Sequence, residues 1–183
     1  KTHGVSIAII VQDLVEPDAI SNITERLEKL RRYPDILINC AGFATYGPFE
    51  ALSIDRQRDE IYVNCVAPVA LTHALLPEML RKGAGVVINV ASTAAMQPDP
   101  YMAIYGATKA FLLSFSNALW GEYRAKGIRV LALCPSVADY ERELAVLVLP
   151  FLDGSMIDVE FAAGSRKLGS IRLDSRVAKL ESK

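Results

Sequence analysis

Apolar residues gather in short runs along this chain, and polar residues collect between them. The first run, "VSIAIIVQDL" at 5–14, is rich in β-branched residues and ends in a polar turn, the pattern of a buried strand. Pro17 and Asp18 then open a helix with the apolar stripe Ile20, Ile23, Leu27 and Leu30, and Arg31 and Arg32 suit its carboxyl end. "DILIN" (35–39) predicts a second strand, stopped by "CAGFATYGP". Ser53 caps a long helix running to about Arg81, with Gly83 as its stop. "GVVINVAS" (85–92) predicts the third strand and "IRVLALCP" (128–135) the fourth. Between them Tyr105 to Lys126 reads as a helix closed by Gly127.

Strands without polar alternation, separated by helices, predict a parallel sheet covered on both faces, a doubly wound α/β architecture. Ligands bind such sheets at the carboxyl ends of the strands, where Asp13, "NCAG", "AST" and "CPS" fall. The chain is expected to form one domain over 1–183, with a divergent segment at 136–183. There the periodicity weakens, and Leu173, Val177 and Leu180 predict a last short helix.

A net charge of −1, with both signs mixed along the chain, removes the electrostatic case for nucleic acid as main partner. "LAVLVLPFL" (144–152) is too short to span a bilayer, and no signal-peptide pattern opens the sequence, so no membrane partner is expected. Cys40, Cys65 and Cys134 lie far apart in apolar surroundings, which predicts free thiols in a reducing, cytoplasmic setting. His3 and His73 have no neighbours at ligand spacing, so no metal is expected.

Tyr105 and Lys109 stand four apart, on one face of a helix. A tyrosine works as acid or base near neutral pH only if its pKa falls well below about 10, and a nearby ammonium favours the tyrosinate. Alone, the pair reads more readily as a surface tyrosine beside a solvated lysine than as chemistry. Ser92, at a strand end, can hydrogen-bond a carbonyl while a tyrosine moves the proton, or can simply cap a turn. Pro68 has no N–H for the carbonyl of Asn64, which either bends the helix around the sheet or leaves Asn64 to hold a water. Ala41 and Gly42 let backbone approach a flat ligand, and Asp13 can bind an amino group or cap a helix.

In order, these residues resemble the short-chain dehydrogenase/reductase family over residues 4 to about 135. "QDL" is similar to the family's adenine-contacting turn, "NCAG" to its N-N-A-G with Cys40 in the second asparagine's place, and "YGATK" to its Y-x-x-x-K signature. "VNCVAP" and "INVAST" supply the matching Asn64 and Ser92. The resemblance implies a Rossmann-like fold and a catalytic set of Tyr105 as acid/base, Lys109 lowering its pKa, Ser92 polarising a carbonyl and Asn64 anchoring a water. It implies NAD or NADP as cofactor, with Asp13, Asn39, Ala41, Gly42, Tyr105, Lys109 and Pro135 lining its site, and a small carbonyl/alcohol substrate. It also implies a homodimer or homotetramer paired through helices 53–82 and 105–126.

Two departures shape the expectation. The family's opening strand, glycine-rich turn and helix, and the strand that follows them, have no counterpart here, a βαβ unit of about 30 residues or more. The chain is therefore expected to be a fragment of a longer enzyme, or to rely on a partner chain or a rearranged sheet. The family's P-G is Pro135–Ser136, and only "FLDGS" (151–155) echoes its terminal turn. The rival expectation is a non-catalytic Rossmann-like module kept for association or regulation; a flavodoxin-type phosphate-binding domain would need acidic clusters that Asp13 alone does not supply.

Overall fold

The strands form where β-branched runs can be buried. In this computed structural model, which describes residues 8–135 and the backbone of residues 157–163 and 166–173, β1 (Ile36–Asn39), β2 (Gly85–Val90) and β3 (Ile128–Leu133) lie parallel in the order β1-β2-β3. Each connection steps the same way across the sheet, so right-handed crossovers set their helices on one face. Leu37, Val87, Ile128 and Val130 on that face pack with Ile23 and Leu27 of α1 (Ala19–Lys29) and with Leu71, Leu75 and Met79 of α3 (Ala67–Lys82). Leu119 and Tyr123 of α4 (Ala103–Tyr123) close over the same cluster. Ile36, Ile38, Ile88 and Val90 form a second cluster on the opposite face.

The long central helix begins where Ser53 Oγ accepts from Arg56 N–H, 3.4 Å away, opening α2 (Ile54–Ile61). Immediately before Pro68 the helix widens into a π-turn, Tyr62–Val66, and then continues as α3 to Gly83, which takes φ +66°. Proline cannot close the usual bond to residue 64, and the wider turn is the local answer. By length and composition alone, Ile54–Lys82 could cross a membrane. Its Leu71, Leu75 and Met79 are instead buried in the core. α4 starts two residues before Tyr105 and ends in a 3-10 turn, Arg124–Lys126, stopped by Gly127 at φ +81°. A Cβ on Gly127 would overlap the Gly83 carbonyl, so the two helix stops are stacked on each other.

Three expectations fail. Residues 8–13 form no strand: Ile9 and Val11 are 81 % and 93 % exposed, and only Ile10 and Leu14 touch the core. A strand is held by its neighbour's hydrogen bonds, and no described strand pairs with this segment; residues 5–7 lie outside the described residues. Leu173 belongs not to a helix but to β5 (Arg166–Leu173), antiparallel to β4 (Ile157–Ala163) and opposite Ile157. There the ladder overrides a three-residue stripe. Val177, Leu180 and "FLDGS" lie outside the described residues. On β3, Arg129 and Leu131 are exposed, so this strand alternates rather than being buried on both faces.

Candidate active site

Lys109 is a cation in the interior, 3 % exposed. Its Nζ donates to the carbonyl of Val90, the last residue of β2, at 2.8 Å, and lies 5.5 Å from the centre of the Tyr105 ring. Burial pulls its ammonium from the usual 10.5 down to about 8, against the opposing influence of Cys40, Cys65, Glu60 and Cys134. Tyr105 is itself buried. Ser92, fully buried two residues beyond β2, accepts from Ala94 N–H at 3.2 Å and caps a 3-10 turn, Thr93–Met96. That bond uses the hydroxyl as acceptor and leaves its own hydrogen to donate. Thr93 N–H donates to the Pro135 carbonyl at 3.0 Å, which brings Pro135 up to the residue after Ser92.

Asn64 sits inside the π-turn, fully buried. Its amide grips Phe43 from both sides, donating to the carbonyl at 2.9 Å and accepting from the N–H at 3.1 Å. It also donates to Thr108 Oγ1 at 3.0 Å, and that hydroxyl donates to the Tyr105 carbonyl at 2.8 Å. A Cβ on Gly42 would stand 2.8 Å from Asn64 Oδ1 and 3.5 Å from Lys109 Nζ. The loop after β1, the central helix and α4 thus converge on Lys109, and only glycine fits at the junction.

Asn39 and Asp13 are placed differently. Asn39 faces the helix layer: its Nδ2 donates to Asn89 Oδ1 at 2.8 Å and reaches Thr72 Oγ1 at 3.4 Å. Asn89 Nδ2 donates to Ser116 Oγ at 2.8 Å, and Ser116 to the Leu112 carbonyl at 2.7 Å. This buried polar rung ties β1 and β2 to α3 and α4, leaving the main chain of residues 41–42 as the part of the turn open to a ligand. Asp13 is exposed, its carboxylate accepting from Val15 N–H at 3.0 Å in a local turn.

Sequence reasoning missed Glu60, fully buried, whose Oε2 accepts from Thr45 N–H at 2.9 Å and Thr45 Oγ1 at 2.5 Å. It also missed Gln57, whose Nε2 points at the carbonyls of Phe49 and Leu52, 3.5 and 3.3 Å away. The signal was present: Gln57, Glu60 and Asn64 recur at helical spacing as a polar stripe on one face. Thr45 and Gln57 also line a cavity of about 280 Å³ that reaches Tyr101 and Ile104, at the start of α4.

A parallel α/β sheet of Rossmann-like type, with a buried lysine bonded to the end of β2 beside a buried tyrosine, points to a dehydrogenase-like class of protein. The chain belongs to the short-chain dehydrogenase family, whose model matches residues 1–143. It is 40 % identical over 140 residues to hydroxysteroid dehydrogenase-like protein 1 of Gallus gallus, covering 75 % of this chain and 42 % of that protein. Among solved structures it resembles a short-chain dehydrogenase from Sphingobium yanoikuyae in complex with NADPH (35 % identity, TM-score 0.63, 68 % of this chain and 48 % of that one). It also resembles 4-hydroxyisoleucine dehydrogenase complexed with NADH (32 % identity, TM-score 0.64, 67 % and 51 %). The chain spans about half the length of the curated relatives it matches. The family uses NAD(P), and Gly42 is where the loop after β1 passes close to Asn64 and Lys109 Nζ.

Proposed function

We propose that this chain carries the catalytic half of an NAD(P)-dependent oxidoreductase that interconverts a carbonyl and an alcohol. The observation that carries the reading is the Lys109 amine, buried beside Tyr105 and bonded to the carbonyl of Val90, two residues before Ser92 in the chain. Bound NAD(P)H would supply the hydride. Tyr105 holds the proton that the substrate oxygen gains or loses, and the Lys109 ammonium stabilises the tyrosinate left behind. Ser92 donates its hydroxyl hydrogen to the same oxygen. Lys109 would hold the nicotinamide ribose, the main chain at Ala41 and Gly42 would line the adenosine side, Pro135 would line the same site, and Asp13 would stand at the adenine. Asn64 keeps the loop after β1 locked to α4 and anchors a water for the proton's onward path.

Exposed Ile54, Ile61 and Val66 on the central helix, and Phe111 and Trp120 on α4, favour pairing of these helices between copies as a homodimer or homotetramer. Three free thiols suit a cytoplasmic setting.

The test is titration with NADH and NADPH followed by turnover on carbonyl substrates. Lys109→Ala is expected to weaken binding at least about tenfold, or about 1.4 kcal/mol. Tyr105→Phe is expected to keep binding and lose turnover by a factor on the order of 10³, the upper part of the range for one acid/base group. No saturable binding of either nucleotide at millimolar concentration would overturn the reading.

A further inference from the structure

The proton relay leaves one fully buried ionisable group unused. Glu60 lies one turn ahead of Asn64 on the same helix face, with Oε2 held by both donors of Thr45 and Oε1 buried without a hydrogen-bond partner. As a carboxylate, Glu60 accepts from both Thr45 donors through Oε2. Residues 42–45 run between this group and the active-site cation: Gly42 approaches Lys109 Nζ, Phe43 is clipped by Asn64, and Thr45 reaches Glu60. Lys109 itself is met at its amine by a carbonyl, and no ion pair among the described residues includes it. A buried cation needs a compensating charge.

We propose that Glu60 is a positioning residue of this site: pinned by Thr45, its carboxylate is the buried counter-charge that keeps Lys109 an ammonium beside Tyr105. The inference rests on the reading of Tyr105 and Lys109 as the proton pair. Glu60 is faced by Thr45 from the loop, Arg56 from its own helix, Cys65 from the π-turn and Lys109 from α4; Lys109 is faced by Cys40, Cys65, Cys134, Glu60 and Tyr105. Burial, the largest influence, holds the Glu60 carboxyl above the usual carboxylate range, while the Thr45 bonds, Arg56 and Lys109 pull against it. The attraction between Glu60 and Lys109 favours the charged form of both.

The experiment is an NMR titration of the Lys109 side chain and the Glu60 carboxyl, in this chain without nucleotide. Glu60→Gln keeps an amide oxygen for Thr45 and removes only the charge. It is expected to lower the Lys109 midpoint by about one unit, a tenfold loss of proton affinity. Thr45→Val removes one of the two bonds that hold the carboxylate and is expected to lower that midpoint by less than Glu60→Gln does. An unchanged midpoint in Glu60→Gln, or an equal fall in Thr45→Val, would overturn the proposal. The wild-type chain gives a check that needs no variant: a Glu60 carboxyl found ionised at pH 7 supports the proposal, and one found protonated overturns it. Since no nucleotide is present, absence of NAD(P)H binding would sink the oxidoreductase reading without touching these readouts.

Discussion

Replacing Lys109 with methionine is expected to change how stability depends on pH, in a direction fixed by burial. Lys109 is 3 % exposed, and its ammonium is held at about 8 instead of 10.5. At about 1.4 kcal/mol per unit, keeping the lysine charged in the fold costs about 3 kcal/mol at neutral pH, with no solvent to screen it. Methionine removes that cost but strips the Val90 carbonyl of its donor, a loss of about 1–2 kcal/mol. The sign of the pH effect is separate from this balance. Between pH 8 and 10.5 the unfolded chain keeps the lysine proton and the folded chain releases it. The unfolded state then binds more protons, and stability rises with pH. The stability lent by the neutral amine is thus present at high pH and lost as pH falls through about 8. From pH 7 to 9 the wild type gains about 1.4 kcal/mol from this group, and the methionine variant gains nothing from it. Stopping at pH 9 keeps the Cys65 thiol, pushed up to about 11 by burial, out of the window. Urea unfolding of both proteins at pH 7 and pH 9 measures the difference directly. Equal shifts in the two proteins would refute a buried ammonium at Lys109.

Gly42→Ala is expected to push the Asn64 amide off Phe43, because the new Cβ would stand 2.8 Å from Asn64 Oδ1. The dissociation constant for NAD(P)H, read by fluorescence titration, is expected to rise at least about tenfold, and an unchanged value would show that the close approach has no bearing on the nucleotide. Gly127→Ala combines a left-handed residue with overlap on the Gly83 carbonyl, at the end of the sheet away from the site. Urea melts are expected to show a loss of about 2 kcal/mol or more; a loss under half that would mean that the stacked helix stops yield easily.

The three described parallel strands and the helices between them were legible because their apolar runs are uninterrupted and their stops are glycine or proline. Gly83 and Gly127 both take the left-handed conformation that a helix stop favours. The approach of Lys109, beside Tyr105, to the end of β2 was legible from order along the chain, since strand ends and helix starts meet at one edge of a parallel sheet. What failed was whatever depends on a neighbour. "VSIAIIVQDL" has strand composition, but composition does not supply a hydrogen-bonded partner, and Ile9 and Val11 remain in solvent. Asn39 read as part of a ligand turn, although alternation along β1 sends its side chain beneath α3 and α4 to Asn89. Glu60 escaped notice because a glutamate early in a helix is ordinarily solvated, and only the folded loop brings Thr45 onto it.

The π-turn at Tyr62–Val66 makes the central helix a coupling between two rotational settings. The stretch before it turns Gln57 and Glu60 toward the loop after β1; the stretch after it turns Leu71, Leu75 and Met79 into the core. An ordinary α-helical path there would be one residue shorter per turn and would rotate one stretch against the other by about 100°. A deletion of a single residue from this turn could therefore regularise the helix and still undo the site, since core and loop would no longer be served by the same rod. Insertions and deletions in this segment are judged by angle, and the backbone geometry alone would look improved.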